Sequence, residues 1–200
     1  MRASLLLVPL LFWPALPAYA SPAAADKEAT YEIEVLIIEN RLPELVGEEL
    51  LAQDPASVRI RGLETTSPPE AAGGESFLQA VVAPQLERDG HYRVLARTHW
   101  QQTVDPSPRQ SAKPVRIVSL NPSNPNELEG TIRFSMSRYL HLDVNLLFRP
   151  QAADSATLPV YRISEQRRVK SQETQYFDHP QFGVLVRVMP VDKPEKDKKP

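Results

Sequence analysis

The chain has 200 residues, a formal net charge of −2 and no cysteine. The slightly acidic balance argues against non-specific nucleic-acid binding. The missing thiols exclude disulfides, thiol catalysis, cysteine-ligated zinc or iron–sulfur centres, and a lipid carried on an N-terminal cysteine.

Residues 1–20 read as a secretory signal peptide. Arg2 is the positive n-region, residues 5–13 form a short apolar core, and Ala18-Tyr19-Ala20 is a small-x-small cleavage site that leaves Ser21 as the first mature residue. No later stretch approaches the roughly 18 continuous apolar residues of a spanning helix, so no membrane span is expected after cleavage. One domain is expected over residues 21–190. Residues 191–200, lysine-rich and of mixed charge, read as a disordered tail.

Residues 31–39 alternate as a strand, with Tyr31, Ile33, Val35 and Ile37 on one face. The other face changes from acidic (Glu32, Glu34) to apolar (Leu36, Ile38), so the strand should run into a place covered on both sides. Residues 42–53 suit a short helix and residues 54–74 a loop. Residues 75–88 carry a helical stripe of Phe77, Leu78, Val81, Val82 and Leu86 that stops at Gly90. Pro84 inside it predicts a kink or a new turn, because an interior proline costs about 3 kcal/mol. Strands follow at 92–101, 115–120, 128–136 and 140–148. In the last of these, Leu140, Leu142, Val144, Leu146 and Phe148 point inward, while His141, Asp143 and Asn145 point outward. The prolines, 20 in all, cluster between such segments, as in Pro68-Pro69 and Pro106 with Pro108.

The densest polar chemistry lies in residues 161–189. The first part is a strand that should form a hairpin with residues 140–148. One side carries Tyr161, Ile163, Glu165, Arg167 and Val169; the other carries Arg162, Ser164, Gln166, Arg168 and Lys170, so His141 and Asp143 should lie near that basic side. Asp178-His179-Pro180 reads as a turn in which the aspartate accepts backbone hydrogen bonds, and Gly183 as a flexible exit into the strand 184–189. Together these elements make an α+β fold, a single domain of mainly antiparallel β-sheet with one main helix packed on a face.

Several of these segments resemble the CsiV family of periplasmic peptidoglycan-binding proteins. They are Tyr31-Glu32-Ile33-Glu34-Val35, Tyr92-Arg93-Val94-Leu95 running into Trp100-Gln101, Leu128-Glu129-Gly130, and Arg138-Tyr139-Leu140-His141-Leu142. Arg167-Arg168 continuing to Tyr176-Phe177-Asp178-His179-Pro180 and Phe182-Gly183 completes the set. Gln175 and Lys170 depart from it, standing where the family more often has histidine and arginine. The resemblance implies a non-enzymatic adaptor in the periplasm. It would bind peptidoglycan, support wall synthesis and cell shape, and be linked to an outer-membrane lipoprotein activator of a peptidoglycan synthase.

Arg138, His141, Arg167, Arg168, Tyr176, Asp178 and His179 are the candidate ligand-binding residues. Arginine grips a carboxylate with two parallel hydrogen bonds, and aromatic rings stack on sugar or peptide faces. The plainer alternative for the arginines is surface ion pairing, Arg167 with Glu165 or Glu173 and Arg168 with Asp178, worth about 0–1 kcal/mol a pair. His91, His99, His141 and His179 follow no metal-ligand spacing, so no metal or other cofactor is expected. No nucleophile elbow or acid–base carboxylate motif points to catalysis. A wall hydrolase and a protein–protein scaffold without direct wall binding remain as alternatives.

Overall fold

The computed structural model describes residues 28–42, 60, 63, 67, 70–108, 112–150 and 160–191. The signal segment, the 43–53 part of the expected short helix, the loop at 151–159 and the tail from 192 onward lie outside these residues.

Eight strands run in chain order: β1 (Ala29–Asn40), β2 (Tyr92–Val104), β3 (Val115–Val118), β4 (Leu128–Met136), β5 (Leu140–Phe148), β6 (Tyr161–Val169), β7 (Thr174–His179) and β8 (Phe182–Pro190). They form two four-stranded sheets. Sheet A has the order β2-β1-β8-β7 and sheet B the order β3-β4-β5-β6, and every pairing within them is antiparallel. The expected hairpin between residues 140–148 and the following strand is there, with Leu140 opposite Val169 and Phe148 opposite Tyr161. The stretch 161–189 is not one continuous unit, however. Its first strand closes sheet B and its last two belong to sheet A. The chain crosses between the layers at residues 170–173, where Gln172 takes a left-handed φ of 67° and donates its N–H to Val188 O.

The two sheets press their apolar faces together. Ile33, Val35 and Ile37 of β1 and Val184, Val186 and Val188 of β8 meet Ile132 and Phe134 of β4 and Leu142, Val144 and Leu146 of β5. Aromatic rings cross the interface at both ends, Tyr31 edge-on to Phe134 at 5.4 Å and Phe148 against Phe182 at 5.5 Å. The alternation read from these strands therefore selects the inner face correctly in each sheet. Gly130 is required where β4 crosses β5, because a Cβ there would run into the backbone of Asn145 and Leu146.

The helix covers the opposite face of sheet A. Leu78 and Ala83 pack on Leu36 and Ile38, which is why β1 becomes apolar on both sides. The break anticipated at Pro84 is real. A π-helical turn over Leu78–Val82 gives way to α1 (Ala83–Glu87). Ala83 N–H bonds to Leu78 O, five residues back, so the ladder is re-registered just before the residue that has no N–H to give.

Candidate functional site

Among the described residues, no helix lies over the outer face of sheet B. From β4 it offers Thr131 and Arg133, from β5 His141, Asp143 and Asn145, and from β6 Arg162, Ser164, Gln166 and Arg168, the basic side foreseen for that strand. Among the described residues, only the end at Leu147 is covered by apolar side chains, those of Ile60, Leu63 and Val160.

At the other end, Ser137, Arg138 and Tyr139 form the three-residue loop between β4 and β5. Arg168 stacks its guanidinium 3.3 Å from the centroid of the Tyr139 ring, and Arg138 lies 5.5 Å from the same centroid. Cation–π contacts of this kind contribute about 0.5–1 kcal/mol at exposed sites. They hold the guanidinium planes while leaving their N–H edges available. Neither arginine has a carboxylate partner among the described residues. The pairing of Arg168 with Asp178 weighed above does not form, because Asp178 is on sheet A. His141 faces outward as expected, opposite Arg168 in the register, with its Nε2 3.2 Å from Ser137 Oγ.

The other four candidates lie elsewhere. Arg167 points between the sheets at the β6–β7 seam. It donates to Tyr176 O at 2.7 Å, pairs with Glu165 at 2.7 Å and covers the Phe177 ring at 4.4 Å. It is a staple between two edge strands, and it occupies one backbone acceptor, Tyr176 O, on β7. Tyr176 lies on the outer face of sheet A, its ring over Gly183 at a distance no Cβ would permit, so Gly183 is needed for space rather than for flexibility. Burial, with the charge and hydrogen bonding of Asp178 beside it, pushes the Tyr176 hydroxyl up to about 12.

His179 sits at the mouth of the seam against Tyr161 and Phe182, and its Nδ1 accepts the N–H of Gln181. The side chain that accepts the backbone hydrogen bond in this turn is thus His179, not Asp178. The histidine is one residue closer to the bend and its ring folds inward. Burial lowers the His179 pKa, with Asp178 pulling weakly the other way.

Between the two ends of the sheet B face lies a shallow depression of about 190 Å³, bordered by Pro114, Thr131, Arg133, Asp143, Val144, Asn145, Ser164, Glu165 and Gln166. Arg133 and Asp143 approach only to 3.6 Å. Arg162 donates two hydrogen bonds to Asn145 Oδ1, at 3.2 and 3.0 Å, which fixes the amide.

Two buried charge networks were not singled out in the sequence. Glu34, 1% exposed, accepts from Ser76 Oγ and Leu78 N–H at the helix start and from Arg187, which also covers Phe77. Glu127, also 1% exposed, is held by Arg93, Ser119 and Asn121. Burial alone would lower the Arg93 pKa, but hydrogen bonds to Glu127 and Glu39 outweigh it and hold it above the ordinary value. The only local signal for either was an acidic residue at the apolar margin of a strand. Both join elements of sheet A to segments distant in sequence. Among the described residues no group of three His, Asp or Glu is close enough to hold a metal ion, and no helix is long and apolar enough to cross a membrane.

The family described as "Peptidoglycan-binding protein, CsiV" matches residues 75–191, which takes in the helix, the loop of Arg138 and Tyr139, and every strand except β1. The chain belongs to the CsiV family. No curated protein and no solved structure gives a significant match. All seven candidate residues fall inside the CsiV match, whereas Glu34, which anchors the helix to β1, falls outside it.

Proposed function

We propose that this CsiV-family protein binds peptidoglycan in the periplasm without cleaving it, through the outer face of sheet B. The observation that carries the reading is the Arg138–Tyr139–Arg168 stack, two exposed guanidiniums held on one ring and paired with no carboxylate among the described residues. Wall peptides offer carboxylates, which such donors grip in pairs. The signal-like residues 1–20, cleaved after Ala20, would deliver the chain to that compartment. A role as an adaptor that supports wall synthesis and cell shape, with an outer-membrane lipoprotein activator of a peptidoglycan synthase as partner, follows from the family resemblance. Of the seven candidates, Arg138, His141 and Arg168 belong to this surface. Arg167, Tyr176, Asp178 and His179 lie away from it, at the seam and on sheet A.

The test is co-sedimentation of the mature protein with purified sacculi at low and moderate salt, with the supernatant assayed for soluble fragments. Retention at moderate salt without fragment release supports the reading. Loss of retention at moderate salt reduces it to general charge attraction, and released fragments favour a hydrolase. A second reading, a protein-binding scaffold without direct wall contact, is favoured by the exposed Phe77 and Val81 on the helical segment of the opposite layer.

A further inference from the structure

We infer that the depression in the middle of sheet B is a subsite for a neutral N-acetylated sugar, so that one strand of wall polymer lies along the face with its glycan there and its peptide carboxylate at Arg138 and Arg168. This deepens the wall-binding reading and rests on it.

The two ends of the face differ in chemistry. The stack end is cationic. Around the depression, Thr131, Asn145, Ser164 and Gln166 supply hydroxyls and amides, which both donate and accept hydrogen bonds, while the charged lining residues are of both signs, Arg133 beside Asp143 at 3.6 Å together with Glu165. A neutral ligand rich in hydroxyl and acetamido groups satisfies such a set, whereas a carboxylate gains more from the arginines. Asn145 is already set for this role. Its carbonyl is taken by Arg162, so what it has left to offer a ligand is its two N–H donors, suited to an acetamido oxygen.

Size and geometry agree. About 190 Å³ falls below the ~300–1,000 Å³ of sites for drug-sized molecules and suits a single ring. From Asn145 to His141, beside Arg168, is four residues along β5, roughly 13 Å at ~3.3 Å per residue. That separates two groups on one polymer repeat rather than two atoms of one sugar. An extended peptide is the poorer occupant of the depression, because the face of a sheet offers no open backbone edge for its main chain to pair with.

The experiment titrates full-length mature protein with di-N-acetylchitobiose, a neutral sugar probe, by calorimetry or amide chemical shifts, beside sedimentation with sacculi. The expected result is weak saturable binding by the wild type, lowered about tenfold or more in Asn145→Ala/Gln166→Ala, as loss of two or more hydrogen bonds implies. Arg97→Ala, an exposed position on sheet A, should leave it unchanged. Circular dichroism and thermal melts establish that each variant is folded. Retention on sacculi with no chitobiose binding, or with binding that the double substitution leaves intact, overturns the subsite while the wall-binding reading stands. Chitobiose binding without retention on sacculi overturns the wall reading, and with it the assignment of the polymer.

Discussion

The two sheets bury similar inner faces, yet their outer faces have opposite fates. Sheet A turns Leu36 and Ile38 outward and covers them with Leu78 and Ala83 of the helical segment, while Glu34 on the same face is 1% exposed and accounted for by Ser76, Leu78 N–H and Arg187. Sheet B turns outward Thr131, Asn145, Ser164, Gln166 and Arg168, and among the described residues only its Leu147 end is buried by apolar neighbours. The sheet B row keeps donors and acceptors beyond the Asn145–Arg162 and Arg168–Tyr139 contacts and so can meet a ligand, whereas the fully matched Glu34 is structural. The buried carboxylate, which looks more like chemistry, is the structural one, and the plain polar row is the candidate site.

Substitutions on the two faces should therefore behave differently. The largest effect is expected for Leu36→Ala beneath the helix, about 2–5 kcal/mol by urea unfolding, as for other buried leucines. A comparable loss in Leu36→Ala and Gln166→Ala would break the distinction between the faces. Arg187→Ala should follow, at about 3 kcal/mol, because it leaves Glu34 buried without its cation; Arg187 is itself 26% exposed, which places the loss at the low end of the range for a broken buried pair. Replacing both partners, as in Glu34→Leu/Arg187→Met, should recover much of that stability.

Acid should weaken the seam between the sheets. His179 has a depressed pKa in the folded protein, so the unfolded chain binds its proton first as pH falls below about 6.5. Stability should be intact above that value and decline as pH drops through the folded pKa. Histidine shifts followed by NMR, with His179→Phe unfolding measured over the same range, check this. At the alkaline end, Tyr176 should stay protonated up to about 12, and Asp178→Asn should bring its ionisation earlier in an ultraviolet titration. The smallest stability change is expected for Arg138→Ala/Arg168→Ala, about 0.5–1 kcal/mol per site, since both arginines are exposed and make only ring contacts. The same double variant should lose retention on sacculi, so stability and binding separate on sheet B as they cannot on sheet A.

Much of this was legible beforehand for a simple reason. Alternation in residues 128–136 and 140–148 reports which side chains are buried, and those sides do form the core. The double-sided apolar end of β1 and the break at Pro84 were readable in the same local way. The candidate site was legible as a set of residue types and scattered as a place. Arg138, His141 and Arg168 come together because hairpin register puts His141 opposite Arg168, whereas Tyr176 and Asp178, a few residues further on, lie on the outer face of the other sheet.

What the sequence determined by itself was the strand period and inner face of β1, β4 and β5, the antiparallel hairpin of β5 with β6 and the resemblance that led to the CsiV family. These depend on side-chain alternation and on neighbours close along the chain. Only the tertiary structure decided that the strands divide into two sheets, that the chain changes layer at Gln172, that Glu34 meets Arg187 and Glu127 meets Arg93, and that no described element covers the polar rows of sheet B. Each of these joins segments far apart in sequence, through contacts whose energy depends on what else is buried around them, and no local pattern of residues carries that information.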